Sequence, residues 1–77
     1  MPKLPILSGK AIIKLLENLG FVQLRQKGSH VSLKKETAEG MIGCVVPMHK
    51  EVALGTLRGI LKQAHISEED FFNVYRK

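Results

Sequence analysis

Phe21-Val22-Gln23-Leu24-Arg25-Gln26-Lys27-Gly28-Ser29-His30-Val31-Ser32-Leu33-Lys34-Lys35 is the stretch on which the fold turns. Val22 and Leu24 alternate with Gln23 and Arg25, and Val31 and Leu33 alternate with His30, Ser32 and Lys34. A period of two marks strands that are buried on one face. Lys27-Gly28-Ser29 reads as a tight turn, and strands joined by so short a turn pair antiparallel. With Val22, Leu24, Val31 and Leu33 turned inward, Gln23, Arg25, Lys27, His30, Ser32 and Lys34 share the open face.

Upstream of this hairpin, Pro2 and Pro5 keep the chain extended. Ser8 is placed to cap a helix, and Ile12, Leu15, Leu16 and Leu19 recur at helical spacing before Gly20. The first helix is therefore expected over residues 9–19. Downstream, residues 36–40 form a second, polar turn, and residues 41–46 a short apolar strand closed by Pro47. After a loop with His49 and Lys50, the spacing of Leu57, Ile60, Leu61 and Ala64 predicts a second amphipathic helix. Ser67-Glu68-Glu69-Asp70 opens a third, short helix, which Phe71, Val74 and Tyr75 are expected to dock. The fold class is α+β: helix, three-stranded antiparallel sheet, helix, short helix, with the helices on one face. Residues 1–77 read as a single domain.

A chain of 77 residues buries only roughly 60% of the surface its unfolded form exposes. A deep substrate cavity is excluded, so an enzyme of this size acts on a surface, and polymers are its natural substrates. No apolar run approaches the roughly 20 residues that cross a membrane, and the start lacks the apolar stretch of a signal peptide. The lone Cys44 gives no internal disulfide, so the cytoplasm is the expected compartment. The net charge of +5 is uneven: residues 1–35 carry +6 and residues 36–77 carry −1. A basic half favours a polyanion, RNA or DNA, although a merely solvated surface has the same composition.

Within the open face His30 is the candidate for chemistry. It follows a glycine-serine turn at a strand start, cations surround it, and histidine is the residue type suited to acid–base work near neutral pH. Such cations hold phosphate and stabilise the added charge of a phosphoryl-transfer transition state. RNA brings its own nucleophile, the 2′-hydroxyl, so the protein need supply little beyond a proton acceptor and positive charge. Read blandly, His30 is a solvated surface histidine. His49, beside Lys50, is either a second proton carrier, a phosphate contact or plain loop surface. His65, at the end of the second helix, is structural. Arg58 is either a backbone clamp or simply exposed. Cys44 and three histidines match no zinc spacing. Paired catalytic carboxylates and a Walker-type glycine loop are absent, and no cofactor is expected.

Ser8-Gly9-Lys10, Gly20-Phe21-Val22 and residues 25–30 together resemble the HicA toxins. The resemblance resumes at residues 45–51 and runs through residues 55–64 to Ile66-Ser67-Glu68-Glu69. It implies a fold like the double-stranded-RNA-binding domain. It also implies ribosome-independent cleavage of messenger RNA without a metal, and a HicB-like antitoxin that covers the active site. The toxin is then expected as a monomer alone and as a hetero-oligomer with its antitoxin. The family's catalytic histidine falls on His30, with Gly28 and Ser29 forming its turn. Arg25, Lys27, Gly28, Ser29, Lys34 and Lys50 are the expected RNA contacts. Many members follow the catalytic histidine with a second one, where this chain has Val31. The loop after His49 also lacks a glycine pair that many members carry. The acid–base complement of His30 stays open among Lys27, Arg25 and a water. An RNA-binding module that uses the same basic face without cutting is the alternative, and a purely protein-binding role is a third.

Overall fold

The computed structural model describes residues 4–77. Pro2, expected to hold the start extended, lies outside them. Helix α1 spans Gly9–Asn18, and the Ser8 side chain accepts from the Ala11 amide at its start. Its apolar stripe buries Ile12, Ile13 and Leu16. At its end the Gly20 amide donates to the Glu17 carbonyl and the Phe21 amide to the Leu16 carbonyl, each at 3.0 Å. This paired closure turns the chain back on the helix and drives Phe21 into the core.

The sheet is an antiparallel meander in the order β1-β2-β3, with β1 Val22–Lys27, β2 His30–Thr37 and β3 Gly40–Pro47. Val31 faces Val46 and Leu33 faces Cys44 across the β2–β3 ladder, and all four are buried. The inward placing of Val31 and Leu33 is thus as the alternation predicts.

Strand β1 departs from the expectation. Val22 and Leu24 are exposed rather than turned inward. The register slips between Gln23 and Arg25, leaving Leu24 as the extra residue of a bulge. Val22 therefore pairs with Lys34 on the open face, while Gln23 pairs with Leu33 on the helix side. There the Gln23 amide donates to the Glu17 carboxylate at 3.3 Å. After the bulge Arg25 pairs with Ser32 and Lys27 with His30. One extra residue flips the pleat, so Arg25 and Lys27 reach the open face as expected and Gln23 does not. The helices pack over β3, and every residue of β1 is exposed.

The second turn is also tighter than the polar composition of residues 36–40 suggests. Glu36 pairs with Met41 and Thr37 with Gly40, so only Ala38 and Glu39 remain outside the ladder. The Thr37 hydroxyl donates to the Gly40 carbonyl at 2.8 Å and accepts from the Glu39 amide at 3.2 Å. These local bonds serve in place of further turn residues.

Helix α2, Leu54–Gln63, buries Leu57, Ile60 and Leu61, with Ala64 just beyond them. The Gln63 side-chain Oε1 accepts from the Val45 amide at 3.2 Å, giving a partner to the outer edge of β3. Leu4 and Val52 add to the same core, and Leu7 bridges to Val52. Neither contact is signalled by periodicity, because both lie in irregular chain.

Helix α3, Glu68–Tyr75, starts at Ser67, whose hydroxyl accepts from the Asp70 amide. Glu68 also pairs with Arg58 at 3.3 Å, so Arg58 serves the α2–α3 junction. Phe71 is buried and docks the helix, but Tyr75 is 41% exposed. Tyr75 lies against Phe72 of its own helix, with ring centroids 6.0 Å apart. The whole is an α+β arrangement compatible with the double-stranded-RNA-binding-domain type.

His65 follows α2 with φ of 57°. Its amide donates to the Lys62 carbonyl at 3.2 Å and the Ile66 amide to the Leu61 carbonyl at 2.9 Å. Such left-handed positions normally hold glycine, and a side chain there costs about 1–2 kcal/mol. Part of that is offset by the entropy glycine restores to the unfolded chain. His65→Gly is therefore expected to raise stability by about 1 kcal/mol, a rise of roughly 4 °C in the melting midpoint. A lowered midpoint would show that the imidazole contributes more than its strain removes.

Candidate active site

Two residues, Gly28 and Ser29, separate β1 from β2. Gly28 has φ of 60°, and Ser29 is not among the residues with positive φ. Glycine at the first position of a two-residue hairpin is the pattern whose twist suits the flanking strands. The Gln26 side-chain amide donates to the Gly28 carbonyl at 3.0 Å and steadies the turn. Lys27 and His30 then face each other as its closing pair.

On its other side His30 pairs with Pro47. The Met48 amide donates to the Ser29 carbonyl at 2.6 Å, which makes His30–Pro47 a pair without bonds of its own. The missing N–H of proline costs nothing in such a slot, and side chains stand closest there, with Cα atoms roughly 4.5 Å apart. Helix α1 closes the third side. The Gly9 amide donates to the His49 carbonyl at 2.9 Å. A Cβ on Gly9 would overlap the Pro47 carbonyl oxygen, so only glycine permits this approach. Thus the turn that carries His30, the end of β3 and the start of α1 are locked together.

The open face follows from the register. Across the sheet, Lys27, His30 and Pro47 form one row, Arg25, Ser32 and Val45 the next, and Val22, Lys34 and Gly43 the third. His30, Arg25, Lys27, Gly28 and Ser29 are exposed and Lys34 is half-buried. Arg25 and Lys27 thus stand beside His30. Lys34 is four residues along the same strand, roughly 13 Å away. Lys50 is exposed in the loop leaving β3 at the His30 end. The exposed apolar residues Val22, Val45 and Met41 interleave with these cations, so the face is amphipathic.

Cys44 stands on the opposite, core face, and burial pushes its thiol up to about 11. A thiol so held is neutral at physiological pH and is no nucleophile. Among the described residues no three of His, Cys, Asp and Glu gather where they could share a metal ion. The surface depressions lined by Asn73, Arg76 and Lys77, and by Arg58, Leu61, Lys62, Ile66, Ser67 and Glu68, contain none of the cationic-face residues. What this arrangement can do chemically is present a titratable group and positive charge to a polyanion lying across an open sheet.

The family model described as HicA toxin of bacterial toxin-antitoxin matches residues 9–66. The chain belongs to the HicA toxin family. The match opens at Gly9, whose close approach to Pro47 is set out above, takes in the whole sheet with His30, and ends after α2. Membership in this family makes it the toxin member of a toxin–antitoxin pair. A search of curated proteins finds no match. No helix among the described residues is long and apolar enough to cross a membrane.

Two features carry no signal in the sequence alone: the position of Gly9 against β3, and the tying of His49 to α1 and of its neighbour Met48 to the His30 turn. Hydropathy carries no signal for either, since both depend on backbone atoms. Their only trace was the appearance of Gly9 and His49 among the segments shared with the HicA toxins.

Proposed function

We propose that this HicA-family chain is an endoribonuclease that cuts messenger RNA without a metal, with His30 as its catalytic acid–base group. The observation that carries the reading is the position of His30: exposed at a strand start, between Lys27 and Pro47, on a cationic open face. In the reaction, the 2′-oxygen of a ribose attacks the adjacent phosphorus as an imidazole takes its proton. The bond from phosphorus to the 5′-oxygen breaks, and that oxygen leaves with a proton. Arg25 and Lys27 offset the charge that gathers on the phosphoryl oxygens. Lys34 and Lys50 hold more distant phosphates, and the backbone of Gly28 and Ser29 keeps the approach to His30 low. A HicB-like antitoxin silences the toxin by covering this same face, to which Val22, Val45 and Met41 offer apolar contact. The toxin works where messenger RNA is translated, in the cytoplasm.

The test is incubation of the purified protein with a long unstructured RNA in excess chelator. The proposal expects defined fragments that accumulate with time. Salt-sensitive binding with no fragments would instead establish an RNA-binding module.

A further inference from the structure

We infer that His49 is a second catalytic residue, the general acid that protonates the departing 5′-oxygen. The inference rests on the ribonuclease reading above and supplies the partner that reading leaves unnamed.

The backbone places His49. Within β3 the ladder to β2 ends at the His30–Pro47 pair. Beyond it the Met48 amide still points at β2, donating to the Ser29 carbonyl. The His49 carbonyl points the other way, accepting from the Gly9 amide, and the Pro47 carbonyl also lies against Gly9. Backbone groups that alternate in direction over residues 47–49 describe extended chain, in which side chains alternate as well. Met48 packs against the core. Pro47 and His49 consequently take the other face, which is the face of His30.

His49 therefore stands diagonally across from His30, one step beyond its direct partner. Diagonal neighbours of this kind lie roughly 7–8 Å apart. A phosphodiester group fits in that interval with one apical oxygen toward each imidazole. The ladder ends at His30–Pro47; continued two steps further, its register would bring His49 opposite Gly28, which has no side chain to fill the space. His49 is itself exposed, and its backbone alone makes the contact with Gly9. Lys27 faces His30 across the β1–β2 ladder and Lys50 follows His49 in the chain; of these side-chain types imidazole is the one suited to proton transfer near neutral pH.

The roles differ by mounting. His30 is fixed in the central strand, where a nucleophile must be met with accuracy. His49 sits past the strand end, beside the path by which the leaving fragment departs. In this assignment His30 accepts the proton of the 2′-hydroxyl as the 2′-oxygen–phosphorus bond forms. His49 gives a proton to the 5′-oxygen as its bond to phosphorus breaks. Protons and charge balance without any further reagent.

The experiment uses an RNA oligonucleotide spanning one mapped cut, and the same oligonucleotide with sulfur in place of the bridging 5′-oxygen at that bond. A thiolate departs without being protonated, so a general acid is needed only for the oxygen substrate. His49→Ala is expected to cut the oxygen substrate about 10²-fold or more slowly than wild type. On the sulfur substrate it should remain within a few-fold of wild type, whereas His30→Ala should be slow on both. Equal slowing of His49→Ala on both substrates would assign it to phosphate binding and overturn the inference. So would wild-type rates on both, or rescue of His30→Ala in place of His49→Ala. Failure of the wild type to cut either substrate would instead sink the ribonuclease reading itself.

Discussion

Gly9→Ala is expected to cost about 3 kcal/mol of stability and to reduce activity with it. Overpacking a tight contact costs typically about 1–3 kcal/mol. Here the obstacle is the Pro47 carbonyl, a backbone group that no rotamer change can clear. Relief requires either α1 or the end of β3 to move. Moving α1 breaks the bond from the Gly9 amide to the His49 carbonyl, worth about 1 kcal/mol, and disturbs the Ser8 cap next to it. Moving β3 shifts Pro47 away from His30. A domain of this size has about 5–15 kcal/mol in hand, so the variant should fold with a melting midpoint lowered by roughly 12–20 °C. Lys10→Ala, one residue on and exposed, should stay within about 0.5 kcal/mol of wild type. A Gly9→Ala midpoint as close to wild type as that would show that α1 does not bear on β3 as described.

The second large effect is on chemistry alone. His30→Ala should lower RNA cleavage by about 10²- to 10⁴-fold, the range that a positioned proton carrier supplies. The His30 side chain makes no hydrogen bond to a described residue and is exposed. Its removal should therefore leave stability within about 0.5 kcal/mol. RNA affinity should also persist, because Arg25, Lys27 and Lys34 carry the charge that the backbone meets. Circular dichroism, a melting curve and an RNA-binding titration on the same preparation separate these outcomes. A variant that lost fold or affinity in step with activity would make His30 a structural or binding residue.

Much of this could be read from residue order, and the failures have definite causes. Val31 and Leu33 point inward because β2 is the central strand, paired on both edges and covered on one face where they lie. The same alternation misplaces Val22 and Leu24, since β1 is an edge strand outside the helices and carries a bulge. That bulge is invisible to hydropathy, because Gln23, Leu24 and Arg25 look like an unbroken alternation. It nonetheless left Arg25 and Lys27 on the expected face, so the cationic site was legible although half of β1 was not. Two helices followed from the caps at Ser8 and Ser67, and α2, which has no side-chain cap, from the stripe at Leu57, Ile60, Leu61 and Ala64 alone. Tyr75 was misjudged because periodicity says which side of a helix is apolar, not where the neighbouring surface ends. Gly9 and His49 were beyond reach for another reason: their roles lie in carbonyl and amide contacts between segments forty residues apart in the chain.

In the proposed reaction the substrate supplies its own nucleophile and the protein supplies proton transfer and charge. The most direct measurement is cleavage of one RNA oligonucleotide beside a copy with a 2′-O-methyl group at the mapped cut, followed by analysis of the ends. The unmodified RNA should be cut to a 2′,3′-cyclic phosphate and a 5′-hydroxyl, and the methylated bond should stay intact. Cutting of the methylated bond, or a 5′-phosphate on the product, would mean that water attacks instead, and would contradict this reaction.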